Sequence, residues 1–133
     1  MAELKRFGFG LQALIILASH AEQCSSEEIA EHIHCEPTAL RKILSRLTEN
    51  GLVEVKQGRG GGYTLAKRPA DINLVEVYHS VHSQCPQWDR MLDTTGEHMF
   101  GNKMRDSFGK IMSDIHTQVD QVLQSYTIAD LME

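Results

Sequence analysis

The sequence has no long apolar run, few cysteines and no recognisable export signal. Its 133 residues contain no run near the roughly 18 consecutive apolar residues of a membrane helix, so a membrane span is excluded. Three cysteines are too few for the disulfide framework of a small secreted protein, and an odd count leaves at least one thiol free in a monomer. Glu3 is acidic, and no small-residue cleavage site follows the first apolar stretch. These absences predict one globular chain in a reducing, cytoplasmic setting.

Basic residues are concentrated in one segment of an otherwise acidic chain. The sequence carries 13 Lys and Arg against 18 Asp and Glu, a formal net charge of −5. Residues 38–68 nevertheless hold seven basic and two acidic side chains, a local charge of +5. The acidic balance disfavours indiscriminate polyanion binding, whereas a cationic patch of this size on one face is enough to neutralise several phosphates.

Apolar spacing predicts three helices in the first part of the chain. Ser25 and Glu28 have the spacing of a capping box at the start of the second helix. Pro37 suits the first position of the third helix, where its missing N–H leaves no bond unmade, and Gly51 suits the residue after its end. The three helices are expected at residues 3–21, 26–34 and 37–50.

The third helix presents two different faces, and a hairpin follows it. The apolar face consists of Leu40, Ile43, Leu44 and Leu47, and the polar face of Thr38, Arg41, Lys42 and Ser45. Residues 52–56 and 63–65 alternate in polarity around the glycine-rich segment 57–62, which is typical of two strands joined at a tip. Three helices and a hairpin in this order predict a winged helix-turn-helix.

The second half of the chain predicts two further helices joined by a loop. Asn73 is expected to cap a fourth helix that ends near Cys85 and Pro86, and residues 86–97 show no clear period and are expected to form a loop. From about residue 97 to 125 the apolar spacing approaches a coiled-coil seam, which requires a partner helix. The fold class is therefore mainly α with a small β-hairpin wing and a long C-terminal dimerisation helix. The seam consists of Met104, Phe108, Ile111, Ile115, Val119 and Val122.

These elements place polar and basic side chains where a winged helix meets DNA. A recognition helix fits the major groove, about 12 Å wide, with its first turns nearest to the base edges. Arg41 and Lys42 are therefore candidates for contacts with bases and phosphates, and Arg59 at the wing tip is a candidate for the neighbouring minor groove. The full set of predicted contacts is Ser26, Thr38, Arg41, Lys42, Ser45, Arg46, Lys56, Gln57, Arg59 and Tyr63.

Short motifs over residues 1 to about 82 carry a family resemblance. They are Phe9–Leu14 with Leu17 and Ala18, Leu44–Leu47, Asn50–Val53, Gly58, Gly61–Tyr63 with Leu65 and Ala66, and Pro69, Ile72, Leu74 and Val77. In this combination the sequence resembles the Rrf2 family of winged-helix transcription regulators. The resemblance implies a homodimer held by the long helix, two winged domains on a palindromic operator, and control by a redox, iron–sulfur or small-molecule signal. Gln57 stands where many members have arginine, with Arg59 two residues further on.

The segment before the long helix departs from the members of that family that hold an iron–sulfur cluster. Those members usually place three cysteines there, because thiolates are the ligands that such clusters favour. Here Cys85 is the single thiol, and the other candidate ligands are His79, His82 and His98, with Glu3 more remote. Surface histidines are common and the chain has seven. No cofactor or metal is therefore expected, and a cluster or metal held by His79, His82 and Cys85 is the less favoured alternative.

A thiol switch is the alternative form of control, and helix geometry restricts which cysteines can form it. Cys24 and Cys35 bracket the second helix, which separates them by about 15 Å, whereas a disulfide requires Cα atoms within about 7 Å. A regulatory disulfide would thus join Cys85 to Cys24 or Cys35, in one chain or across the dimer. Cys35 is expected to be the better placed, because a helix N-terminus and nearby cations favour thiolate. Isolated cysteines are, however, commonly inert packing residues.

The chain is expected to comprise three functional segments: a winged DNA-binding domain at 1–82, a sensor or linker loop at 83–96, and a dimerisation helix with a terminal turn at 97–133. No nucleophile lies in a catalytic context, so an enzyme is not expected. The predicted function is a sequence-specific transcriptional repressor that binds a palindromic operator as a homodimer and responds to a redox or small-molecule signal. A metal-dependent regulator and a winged-helix module that contacts only proteins are the alternatives.

Overall fold

The computed structural model describes residues 3–82 and 87–133. Within them, six helices and one antiparallel hairpin follow the predicted order, with 3₁₀ turns at Pro69–Asp71 and Gln87–Thr94. No helix among these residues is long and apolar enough to cross a membrane. The elements are α1 (Glu3–Ala18), α2 (Ser26–Ile33), α3 (Pro37–Glu49), β1 (Val53–Lys56), β2 (Gly62–Leu65), α4 (Leu74–Val81), α5 (Met99–Gln124) and α6 (Ile128–Leu131).

The first five of these elements and α4 enclose one apolar core. The apolar stripe of α3 is buried as its spacing predicts, because its four leucine and isoleucine side chains face α1 and α2. Gly10 of α1 lies where that helix crosses α3 and α4, and a Cβ there would stand in ordinary contact with side-chain carbons of Ile43 and Val77, at 3.6 and 3.7 Å. The fully buried large side chains are Leu14, Ile29, Leu40, Ile43, Leu44, Leu47, Leu52, Val53, Ile72, Val77, Val81 and Ile128.

Local signals read from the sequence are confirmed at several helix ends. Ser25 and Glu28 form the predicted capping box of α2, and Pro37 occupies the first turn of α3. Asn73 caps α4 through a second capping box. Gly51 follows α3 with a φ of 76°, a left-handed conformation that glycine adopts without strain. Together with the hairpin, these ends confirm the winged helix-turn-helix.

The C-terminal segment returns to the winged domain after α5. The backbone N–H of Leu74 donates to the carbonyl of Tyr126 at 3.0 Å, and that of Ile128 donates to Ile72 at 2.9 Å. Thr127 caps α6, and Ile128 is completely buried beneath it in the core of the winged domain. The C-terminal end of α5 is therefore tied through α6 to the N-terminal part of the same chain, and α5 also packs on α4 and on the 87–94 turn.

Some predicted boundaries are wrong. The sequence predicts a loop over residues 86–97, but residues 87–94 form a 3₁₀ helix that packs on α5. The carboxylate of Asp89 in this turn lies 3.2 Å from Nε2 of His116 in α5. The two residues are far apart in the sequence, so local apolar spacing could not predict this contact. Helix α1 ends at Ala18 rather than near residue 21, and α4 ends at Val81. The predicted helix end near Cys85 and Pro86 lies outside the described residues.

One glycine of α5 provides a test of how tightly the 87–97 segment is packed on that helix. Gly101 is buried, and a Cβ there would stand 2.8 Å from the backbone nitrogen of Gly96 and closer still to its carbonyl oxygen. We expect Gly101→Ala to lower the free energy of unfolding by about 1–3 kcal/mol, because the clash is with backbone that cannot rotate away. Gly109→Ala is the matched control, since open space surrounds Gly109 and alanine is the better helix former by about 1 kcal/mol.

Urea denaturation of both variants at one protein concentration measures the two effects. Gly109→Ala is expected to raise the midpoint and Gly101→Ala to lower it. Equal midpoints for the two variants would show that the turn at Gly96 is not packed against α5 as described.

Candidate nucleic-acid interface

The first turn of α3 is fixed by a cap that the sequence analysis did not include. Glu36 precedes Pro37, and its two carboxylate oxygens accept hydrogen bonds from the backbone N–H groups of Thr38 at 3.0 Å and Ala39 at 2.9 Å. These hydrogen bonds hold the pKa of Glu36 below its ordinary value, and the bond from Thr38 has the largest effect. The cap is therefore intact at neutral pH and is lost only as the pH falls through that lowered value. Glutamate is not a favoured N-cap residue, so only the structure identifies this role.

The polar face of α3 is exposed along its first two turns. Thr38, Arg41, Lys42 and Ser45 are all exposed, while the opposite stripe is buried. A guanidinium nitrogen of Arg41 donates to the Thr38 hydroxyl at 3.3 Å, which orients the arginine along the start of the helix. Arg46 is half-buried at the flank of this face. A helix with this exposed, cationic first half has the surface that enters a major groove.

The wing lies after α3 and exposes its tip. Val53 pairs with Leu65 and Lys56 with Gly62, so the tip comprises residues 57–61. Gly58 and Gly60 have φ values of 91° and 75°, which favour glycine, and a Cβ on Gly61 would collide with the Lys56 carbonyl. Lys56, Gln57 and Arg59 are exposed on or beside this turn. The glycines thus allow a tight turn that presents the basic side chains.

The position of the wing is set by the segment between α1 and α2. Cys24 and Tyr63 exchange two backbone hydrogen bonds, at 2.7 and 3.1 Å, which adds a third short strand position beside β2. The amide of Gln23 donates to the carbonyl of Gly60 at the wing tip. Tyr63 is half-buried against the core and anchors the wing there. Neither contact has a sequence signal, because both join residues about 40 positions apart.

The ten predicted contact residues lie on α2, α3 and the wing. Thr38, Arg41, Lys42, Ser45, Lys56, Gln57 and Arg59 are exposed, and Ser26, Arg46 and Tyr63 are half-buried. Two of the seven basic residues in segment 38–68 are neutralised locally: Lys67 pairs with Glu76 at 2.8 Å and Arg68 with Asp71 at 3.0 Å. The Arg68 guanidinium correspondingly lowers the pKa of Asp71. The five basic residues on α3 and the hairpin therefore account for the cationic patch.

The histidines considered as metal ligands have protein partners. Nε2 of His79 lies 3.1 Å from the Asp120 carboxylate on α5, and Nδ1 of His82 lies 2.8 Å from the Tyr78 carbonyl. His98 caps α5, its Nδ1 accepting from the N–H of Gly101 at 2.9 Å. In the described part of the chain, no three His, Cys, Asp or Glu residues are grouped to hold a metal. Cys85 lies outside the described residues.

The two cysteines of the winged domain are buried, free thiols. Burial is the main cause that raises the pKa of Cys24, and burial together with the Glu36 carboxylate raises that of Cys35. The expectation that Cys35 is favoured as thiolate is therefore wrong, because its thiol is withdrawn from water and faces an acidic rather than a basic neighbour.

Helix α5 presents part of its apolar seam to solvent. Met112, which the seam did not include, is buried against the chain, while Phe108, Ile115 and Val119 are half-buried. Ile111 and Val122 are 47% and 56% exposed, a large fraction for β-branched residues. Some seam residues are therefore partly covered by the same chain, whereas Ile111 and Val122 form an exposed apolar stripe.

Comparisons with known proteins agree with this architecture. A family model described as "Rrf2: Iron-dependent Transcriptional regulator" matches residues 4–133. The HTH-type transcriptional regulator NsrR of Geobacillus kaustophilus is 28% identical over 131 residues, covering 94% of this chain and 85% of the relative. Among solved structures, T. potens IscR has a TM-score of 0.69 at 23% identity, covering 96% of this chain and 82% of that one. The oxidised form of Staphylococcus aureus CymR has a TM-score of 0.70 at 19% identity, covering 100% and 97%. At these identities the two structures establish the fold alone.

Proposed function

Because this chain belongs to the Rrf2 family of DNA-binding transcriptional regulators, we propose that it is a repressor that binds a palindromic operator as a homodimer. The family comprises regulators of transcription rather than enzymes. The single observation that supports DNA contact most directly is the exposed face of α3, with Arg41 and Lys42 in its first turns. A protein-binding module does not require such a face.

The proposed recognition assigns different roles to α3 and to the wing. Arg41 and Lys42 enter the major groove, where a guanidinium can pair with a guanine edge and an ammonium with a phosphate. Arg59 at the wing tip reaches the adjacent minor groove, and Lys56 and Gln57 contact the backbone beside it. Ser26, Thr38, Ser45, Arg46 and Tyr63 complete the surface as hydroxyl and basic contacts at its edge.

We propose that three segments of the chain have different roles. Residues 1–82 recognise DNA, residues 83–96 receive or transmit the signal, and residues 97–133 join two chains. Helix α6 belongs physically to the core of the first segment, since Ile128 is buried there. A signal that shifts α5 would therefore also act on the DNA-binding domain, because α6 follows α5 and is packed into the core of that domain.

We propose that a conventional three-cysteine iron–sulfur cluster is not the sensor, although the family description includes iron dependence. The donor set does not fit such a cluster. Cys24 and Cys35 are enclosed in the winged domain, so Cys85 is left as one thiolate where three are required. A redox signal through Cys85 or a small-molecule effector remains the proposed form of control, in a cytoplasmic protein.

Selection from a random DNA library, followed by titration of the enriched duplex, tests the proposed function. We expect the enriched sites to be inverted repeats with half-sites about 10–10.5 base pairs apart or a multiple of this. The logarithm of the association constant should fall linearly with the logarithm of salt concentration, with a slope of about −0.9 for each phosphate neutralised. A reporter gene placed behind the operator should be silenced. No enrichment, together with binding that ignores salt, would favour the protein-interaction module.

A further inference from the structure

Two histidine rings lie against each other where α1 ends and α2 ends. His20 follows α1, His32 lies in the last turn of α2, and both are exposed. Their ring centroids are 5.6 Å apart with the planes inclined at 60°. The two rings come from separate elements, so their approach is a product of the tertiary fold and has no helical period.

The hydrogen bonding of His20 leaves one ring nitrogen available. Its Nδ1 lies 2.7 Å from the carbonyl oxygen of Ile16, and a carbonyl can only accept, so Nδ1 carries the proton. Nε2 of the neutral ring is then the atom with the free lone pair. A backbone carbonyl on one nitrogen is the usual arrangement of a metal-bound histidine, because it fixes both the tautomer and the ring orientation.

The separation of the rings suits a shared metal ion. Two imidazoles bound to one tetrahedral Zn²⁺ through bonds of about 2.0–2.1 Å have ring centres about 5 Å apart. The observed separation of 5.6 Å is close to this value. Two protein ligands with water in the other positions form an open site rather than a closed structural one.

We propose that His20 and His32 form a site for a late first-row divalent cation such as Zn²⁺ or Ni²⁺, bound through the two imidazoles. Imidazole nitrogen suits these ions, whereas Mg²⁺ prefers oxygen ligands. Neither histidine is among the residues proposed to contact DNA or to receive the signal.

The position of the site connects it to the wing. His20 begins the segment whose Gln23 and Cys24 hold Gly60 and Tyr63 of the hairpin. A metal that ties His20 to α2 restrains this segment, so the wing loses less conformational freedom when it meets DNA. This consequence rests on the proposed function, whereas the metal site itself does not.

Thermal unfolding of the DNA-free full-length protein with added ZnCl₂ tests the site. We expect the Tm of the wild type to rise with Zn²⁺ until saturation, and MgCl₂ to leave it unchanged. His20→Ala and His32→Ala should each weaken Zn²⁺ binding by roughly tenfold or more. His34→Ala is the matched control, because His34 is an exposed histidine two residues from His32 that is not paired with His20. Its response should equal that of the wild type.

A second measurement keeps the site testable if an alanine variant unfolds. In the wild type, substoichiometric Ni²⁺ should broaden the imidazole NMR signals of His20 and His32 before those of the other five histidines. Broadening that begins elsewhere, or an undiminished Zn²⁺ response in both alanine variants, would overturn the site.

The link to the wing predicts severalfold tighter operator binding with Zn²⁺ in the wild type and no change in His20→Ala. If Zn²⁺ binds but operator affinity does not change, the link is wrong, and if no duplex binds at all, the proposed function fails while the metal site stands.

Discussion

Arg41→Ala combined with Lys42→Ala is expected to abolish specific operator binding while leaving the fold intact. Both side chains are exposed on α3, whose buried stripe lies on the opposite side, so their removal leaves the core unchanged. Each lost base or phosphate contact costs about 1–3 kcal/mol, so the double variant should bind about 30-fold to 10⁴-fold more weakly at each half-site. Fluorescence anisotropy with the selected operator measures the loss, and circular dichroism verifies the fold.

The single variants and a charge-matched control separate recognition from general attraction. Arg41→Ala should relax the preference for one base pair in each half-site, whereas Lys42→Ala should weaken binding to all sequences and reduce the salt slope by about one for each subunit. Lys103→Ala with Lys110→Ala removes the same charge from exposed positions on α5 and should change operator affinity little. Unchanged affinity in the Arg41 and Lys42 double variant, or an equal loss in the α5 control, would contradict the assignment of α3 as the recognition helix.

Ile111→Asp is expected to convert the proposed homodimer into monomers. Ile111 is 47% exposed in the single chain, so the substitution spares the packing within each subunit. Across a paired α5 the carboxylate would be buried without a partner, at a cost of several kcal/mol. The dissociation constant of the dimer should therefore rise by about 100-fold or more, which sedimentation velocity over a concentration series measures.

Variants elsewhere on α5 locate the interface. Val122→Asp, also at an exposed seam position, should act like Ile111→Asp, whereas Ser113→Asp places the same charge on the opposite side of the helix. Ile115→Asp should disrupt the dimer too, but Ile115 is half-buried within the subunit and its substitution also lowers the stability of the monomer. A monomeric wild type, or dimers that survive both Ile111→Asp and Val122→Asp, would refute α5 as the interface.

The exposed stripe on α5 supports the choice of a second copy as its partner. The chain belongs to the Rrf2 family, and its resemblance to that family implies a homodimer held by the long helix. Within the chain Met112 of α5 is buried and Leu123 is partly buried against the core, whereas Ile111 and Val122 remain largely exposed. β-branched side chains in a regular row on a helix are stabilised when a partner helix covers them.

Some elements could be predicted because their signals are local. The apolar stripe of α3, the capping box at Ser25 and Glu28, and Pro37 each act within one or two helical turns. The hairpin has the same property, since alternating strands around a glycine-rich tip pair with their nearest neighbours in the chain. Glu36 shows the limit of such signals, because an uncommon residue makes the cap that a common one usually makes.

The sequence by itself determined the winged helix-turn-helix, the exposed basic side chains of α3 and the long C-terminal helix, because periodicity and capping depend on residues that are neighbours along the chain. Only the tertiary structure decided how these parts are joined. Ile128 enters the core beside Ile72, Cys24 fixes the wing, and His20 meets His32 across two helices. It also decided that Cys35 is a protected thiol, since burial depends on every element that surrounds it. Contacts between distant residues depend on how the whole chain packs, and no local pattern encodes them.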